Sequence, residues 1–300
     1  MKPILASARS RTRFANPALW AIAAVCILCA VAATKSAASR SEDDEDAKQV
    51  FYTTSDSSGE AEIWAIEISR GKITTRDVGA TGGGDCVSLA LSPITGELYS
   101  MCGPLFGDQQ LATIDLHTGQ ANLFGVPNGG QSYQLAVMAM TFAADGTLYA
   151  VGDCDPNANF ECTPGSDKNY NSLYTVNTAT GAFTRVGSTG APQFFMDLAI
   201  DRHGNMFGVT TTVNPSATPA ILYRINPRTG KATTLVNLVG SNLVMGLAFG
   251  RDGRLYATDN FPNSGLYRID INKGFETAIA ALPGTQFFSS GLELINASEH

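Results

Sequence analysis

One short unit recurs four times along the 300-residue chain. It is a Gly, a spacer residue and an apolar–aromatic pair: Gly96-Glu97-Leu98-Tyr99, Gly146-Thr147-Leu148-Tyr149, Gly204-Asn205-Met206-Phe207 and Gly253-Arg254-Leu255-Tyr256. An apolar run precedes each unit, at 88–92, 140–143, 197–201 and 246–250. Apolar run, Gly-containing turn and apolar–aromatic strand together spell a β-hairpin. A second unit follows each hairpin, opening on an apolar pair and reaching a Gly eight residues later. Its five copies run Ile63 to Gly71, Leu111 to Gly119, Leu173 to Gly181, Leu222 to Gly230 and Leu266 to Gly274. Gly supplies the positive φ that a tight turn between two strands needs. A fourth strand comes next, as in AFTRVG at 182–187.

Four strands in about 50 residues is the blade period of a β-propeller. The ends fix the count. VFYTT at 50–54 reads as a second strand with no first strand before it, and GLELI at 291–295 as a first strand with no second strand after it. Together they make one blade and leave no open sheet edge at the seam. The expected fold is therefore all-β: a five-bladed β-propeller, four antiparallel strands per blade, its ring closed by the N- and C-terminal strands.

The blades read like LAFxxDGxLYA followed by LYxIDxxTGxxTxVG. In this the chain resembles secreted β-propeller repeat proteins and, more distantly, NHL-repeat and gluconolactonase/regucalcin-like propellers. The resemblance covers about residues 49–295 and concerns the fold, since propellers host enzymes, lectins and scaffolds alike.

The first residues read as an address. Lys2, Arg9, Arg11 and Arg13 precede an apolar run at 18–33, and Ser36-Ala37-Ala38 offers a small-residue cleavage site. That is the layout of a secretory signal peptide over 1–38. A signal anchor over 18–33 is the other reading, because the run is at the short end for a bilayer span. Residues 39–48 carry the acidic block SEDDED and read as a disordered spacer, and 49–296 as a single propeller domain. The formal charge is −7, from 20 Lys and Arg against 27 Asp and Glu. Cleavage removes five cations and leaves 15 against 27, or −12. This acidity argues against a nucleic-acid partner.

Cys86, Cys102, Cys154 and Cys162 remain after cleavage, and an even count in an exported chain favours disulfides. Cys86 and Cys102 lie symmetrically about the turn at Pro93, so they face each other across a hairpin. Cys154 and Cys162 close a short loop. Zinc is disfavoured because no His lies near either pair.

The candidate site residues sort by face. In a propeller, the loops joining strands two to three and four to one share the loop face. The hairpin turns share the opposite, turn face. His117 and His203 fall in turns and His300 ends the chain, so no His is placed as a general base at the loop-face mouth. The long loop 151–172 carries Asp153, Asp155 and Asn157 at alternate positions, which suits calcium. Ala158 stands where an EF-hand has its turn Gly, so an Asx-turn loop tied by the disulfide is the competing reading. Asp197 is a carboxylate before the innermost strand of its blade, where the sister residues are Ser88, Ala139, Gly246 and Gly291. It either holds a ligand at the channel or bonds to backbone donors. Glu293 is the other inner-strand acid. Asp259 and Asn260 end a second strand; the resemblance to NHL-like and gluconolactonase-like propellers implies polar ligand groups there. Phe194 and Phe287 precede inner strands, where they either stack on a ligand or wedge between blades.

These residues suggest an exported, monomeric binding module for a protein or small molecule, with no evident catalysis. The alternatives are a divalent-metal-dependent lactonase-like hydrolase using Asp197 and Asp259, and a glycan-binding lectin.

Overall fold

In a computed structural model of the protein, the described residues are 48–56, 60–104, 108–131, 134–155, 171–211, 219–239, 243–260, 264–274, 276–282 and 289–295. They form five four-stranded antiparallel sheets. Blade one joins β20 (Ser289–Ile295) to β1 (Gln49–Asp56), β2 (Ala61–Ser69) and β3 (Lys72–Ala80). Blade two holds β4 (Cys86–Leu91), β5 (Leu98–Cys102), β6 (Gln110–Ile114) and β7 (Ala121–Leu123). Blade three holds β8 (Gln134–Phe142), β9 (Leu148–Asp155), β10 (Ser172–Val176) and β11 (Phe183–Ser188). Blade four holds β12 (Phe194–Ile200), β13 (Met206–Thr211), β14 (Ile221–Ile225) and β15 (Ala232–Asn237). Blade five holds β16 (Val244–Phe249), β17 (Leu255–Asp259), β18 (Gly265–Ile269) and β19 (Glu276–Ala281). The expected five-bladed propeller is thus the observed fold, and blade one is built from both ends of the domain. The expected leader at 1–38 and nearly all of the spacer lie outside the described residues.

The inner strands β20, β4, β8, β12 and β16 pack in cyclic order around the axis. Second strands are buried on both faces: every residue of β5, β13 and β17 is buried. Fourth strands face solvent, as in β15, which has no buried residue. Clusters of apolar side chains fill the seams. Phe195, Met206, Tyr223 and Ile225 of blade four meet Ala139, Val151 and Leu173 of blade three. Phe207, Leu222 and Val209 meet Leu247, Leu255 and Ile269 of blade five.

The blade seams also need close backbone approach. Gly187 at the end of β11 lies against the turn of blade four, where a Cβ would run into the Thr229 carbonyl. Gly79 meets the Thr118 carbonyl of blade two in the same way. These two strand glycines are seam contacts.

Cys86 and Cys102 are paired residues in the β4–β5 ladder and form a disulfide. That matches the hairpin expectation and is compatible with an extracytoplasmic protein. Cys154 lies on β9, and its expected partner Cys162 is outside the described residues.

Candidate functional site

A recurring irregularity shapes the channel. Each inner strand carries a break in register against its second strand: Val87/Ala90, Val137/Ala139, Phe195/Asp197, Val244/Gly246 and, in blade one, Thr53/Ser55 opposite β20. An extra residue in one strand kinks it and re-aims the next side chain. Here the irregularities fall beside one tier of sister residues: Ser88, Ala139, Asp197, Gly246 and Gly291. The tier is tight. A Cβ on Gly246 would lie 2.9 Å from Leu292 Cβ, and one on Gly291 would lie 2.7 Å from Ser88 Cα. Four small residues therefore leave room for one carboxylate.

That carboxylate is Asp197, which lies inside β12 and is fully buried. Its Oδ1 accepts the Leu198 N–H at 2.9 Å and the Ser88 hydroxyl at 3.2 Å. Its Oδ2 accepts the Leu247 N–H at 2.8 Å and the Leu292 N–H at 3.1 Å. Ser88 Oγ in turn accepts the Met140 N–H at 2.7 Å. Leu198, Leu247, Leu292, Ser88 and Met140 belong to five different blades. Two side chains thus tie all five inner strands together at the axis. Burial pushes the Asp197 carboxyl well above the usual carboxylate range, against the pull of its three backbone donors.

Towards the turn face the channel widens into a cavity of about 210 Å³ at the ends of the inner strands. Leu91, Thr141, Phe142, Ile200 and Phe249 line it, and Glu293 is its one ionisable wall residue. Glu293 Oε1 accepts the Leu294 N–H at 3.2 Å. Among the described residues no cation pairs with it. Burial raises its carboxyl from 4.5 to about 8. Asp197 is the acid that feels its charge.

The linkage has a definite sign. Between pH 4.5 and about 8 the folded protein holds the Glu293 proton and the unfolded chain does not. Stability therefore falls as pH rises through that window. Glu293→Gln should flatten the fall, raising stability at pH 8.5 by roughly 2 kcal/mol after allowance for solvent screening in the cavity. Urea midpoints at pH 5.5 and 8.5 check this; parallel profiles for both proteins would refute it.

On the loop face, Asp259 ends β17 and is buried, and the Asn260 N–H donates to the Leu243 carbonyl at 3.0 Å. Phe194 opens β12 half-buried and packs on the apolar cluster shared by blades two and three. Asp153 is half-buried on β9. Asn157, Phe287 and the side chain of Asp155 lie outside the described residues. Among the described residues, no three His, Cys, Asp or Glu side chains gather as a metal-holding group. Sequence reasoning missed the part played by Ser88, whose sister position to Asp197 was the available signal. It also missed Gln109, buried just before β6, whose Oε1 accepts the Val137 N–H of blade three at 2.8 Å.

A family profile described as "Repeat of unknown function (DUF6923)" matches residues 51–286. No curated protein sequence matches the chain. Among solved structures it is similar to a chain from a nidogen/laminin complex, with TM-score 0.51 and 11% identity over 84% of this chain and 99% of that one. A gluconolactonase from Xanthomonas campestris gives TM-score 0.47 and 13% identity over 75% and 73% of the two chains. A protein of unknown function from Bacteroides caccae gives 0.49 and 12% over 83% and 99%. Likeness at these identities concerns the fold alone.

Proposed function

The chain belongs to the DUF6923 repeat family, and we propose that it is an exported, monomeric binding module that works without catalysis through the loop face of its ring. The observation that carries this reading is the use made of Asp197. Both oxygens of this innermost carboxylate are occupied by donors from the ring itself. The group best placed for chemistry at the axis serves as a tie between blades, which leaves a rigid scaffold presenting loops. Rigid scaffolds with variable loops suit recognition. A protein of like fold occurs in a nidogen/laminin complex, an analogy with protein binding at the level of fold only. Asn260, Asp259, Phe194 and Phe287 supply the contact surface in this reading.

The test pairs two measurements on the full chain. Arrays of extracellular proteins and glycans are probed with the wild type and with Asn260→Ala, and lactone hydrolysis is followed with calcium, with zinc and with EDTA. The expected result is saturable binding that Asn260→Ala weakens about tenfold, with no lactone turnover. Turnover that EDTA abolishes would overturn the reading in favour of a metal-dependent hydrolase.

A further inference from the structure

The turn face carries an uneven charge. In blades four and five it presents Arg202, Arg224, Arg228, Lys231, Arg251, Arg254, Arg268 and Lys273 against Asp201, Asp252, Asp270 and Glu276, eight cations to four acids. The matching turns of blades two and three, 92–97, 115–120, 143–147 and 177–182, hold Glu97, Asp115 and Asp145 and no Lys or Arg. This concentration of positive charge arises in a chain with an acid excess of seven.

The three aspartates are already held by their own turns. Asp201 accepts the His203 and Asn205 N–H groups, each at 2.8 Å. Asp252 accepts the Arg254 N–H at 3.0 Å and the Tyr256 hydroxyl at 2.9 Å. Asp270 accepts the Asn272 and Lys273 N–H groups at 3.0 and 3.1 Å.

The cations converge on a groove of about 420 Å³ in blade four. Arg224, Arg228 and Lys231 line it, and all three are exposed. Arg224 donates to the Asn205 side-chain carbonyl. Among the described residues none of the three has a carboxylate within salt-bridge distance. The rest of the groove is mixed: Asn205, Asn226 and Thr233 are polar, Met206 and Ile225 are buried beneath it, and Leu235, 41% exposed, offers apolar surface beside Pro227. Arg254 and Arg268 line the matching groove of about 380 Å³ in blade five, where Asp270 is also in the wall and Arg254 pairs with Asp252 at 3.6 Å, so the cations without a carboxylate in their groove lie in blade four. Both volumes fall within the ~300–1,000 Å³ of ligand-binding clefts.

We infer that the blade-four groove is a second binding surface, on the face opposite the loops, and that its occupant is an extended acidic peptide alternating carboxylates with apolar side chains. Guanidinium forks match carboxylates in a bidentate way. The exposed Leu235 and the half-buried Pro227 take the intervening apolar side chains. A sulfated glycan would match the cations but leave Leu235 uncovered, and no aromatic platform for sugar stacking lines the groove. An anionic membrane would favour cations on a flat surface over cations set around a cleft.

The probe is a fluorescein-labelled (Glu-Val)4 peptide, titrated into the full-length protein at low salt and followed by anisotropy. A (Lys-Val)4 peptide and a heparin hexasaccharide serve as competitors. The peptide should bind saturably and weaken as salt rises. Arg224→Gln/Arg228→Gln/Lys231→Gln should weaken it about tenfold or more through loss of charge-assisted donors. Arg70→Gln/Lys72→Gln in blade one should leave it unchanged, which separates a local groove from net charge. Asn260→Ala should also leave it unchanged, which separates this surface from the loop face. The three substituted side chains are exposed, and equal melting temperatures confirm that the triple variant is folded. Absence of peptide binding, equal binding by the triple variant, or displacement by heparin in preference to the acidic peptide would each overturn the inference.

Discussion

Replacing Asp197 by Ala should destabilise the protein by about 4 kcal/mol, a loss large enough to lower the melting temperature by roughly 12 °C. The substitution strips partners from the Leu198, Leu247 and Leu292 N–H groups and from the Ser88 hydroxyl. All four lie in a buried tier, where each unsatisfied donor costs about 1–3 kcal/mol. Relaxation and water entry recover part of that total. Asp197→Asn is the sharper test of the geometry. Each carboxylate oxygen accepts from two donors, so an amide nitrogen at either position would face donors with its own hydrogens. A loss of about 2 kcal/mol or more is expected although size is unchanged. Chemical denaturation at pH 6, followed by tryptophan fluorescence and circular dichroism, measures both variants. An Asn variant as stable as the wild type would remove the five-blade tie from the account of this fold.

The second large effect concerns the disulfide. Cys86 and Cys102 close a loop with a sequence separation of 16. Opening such a loop in the unfolded chain costs the folded state about 3 kcal/mol. Both residues are buried within the apolar cluster of blades one and two, so Cys86→Ala/Cys102→Ala also leaves a small cavity. The double variant, and the wild type under strong reductant, should melt roughly 10 °C lower. The bridge joins the inner and second strands of blade two, and Ser88 sits two residues from Cys86. Loss of the bridge should therefore loosen the Ser88 contact to Asp197. Stabilities of the double variant, Asp197→Ala and their combination form a cycle that measures this coupling. Melting of reduced and oxidised protein within a degree of each other would show that the bridge contributes nothing.

Much of the ring was legible in the chain because it repeats. Gly119, Gly181, Gly230 and Gly274 all have positive φ in the turns that the sequence assigns to them. The split blade was legible too, since an unpaired strand at either end must find a partner. Other elements were not. The inner strand of blade three runs from Gln134 to Phe142, well beyond the four-residue run that marks it in the sequence. Its first half carries no alternation, because the register break at Val137/Ala139 resets which residues face inwards. The loop-face residues Asp259 and Asn260 were found by resemblance, and that resemblance says nothing of the burial of Asp259.

The sequence by itself determined the number of blades, their strand order, the closure of the ring and the Cys86–Cys102 pairing. These follow from local rules: Gly at tight turns, apolar period along strands, and residues symmetric about one hairpin. Tertiary structure alone decided what Asp197 does. Read along the chain it is a lone acid among small residues, for which backbone donors are the favoured partners and a ligand the alternative, with nothing to say which donors they are. Its partners Leu247, Leu292 and Ser88 stand 50, 95 and 109 residues away. Only closure of the ring brings those N–H groups and that hydroxyl within 3.2 Å of one carboxylate. The cationic groove has the same origin. Arg224, Arg228 and Lys231 become a site when the blade folds and the acids of the chain are placed elsewhere, a matter of position in space that charge counting cannot show.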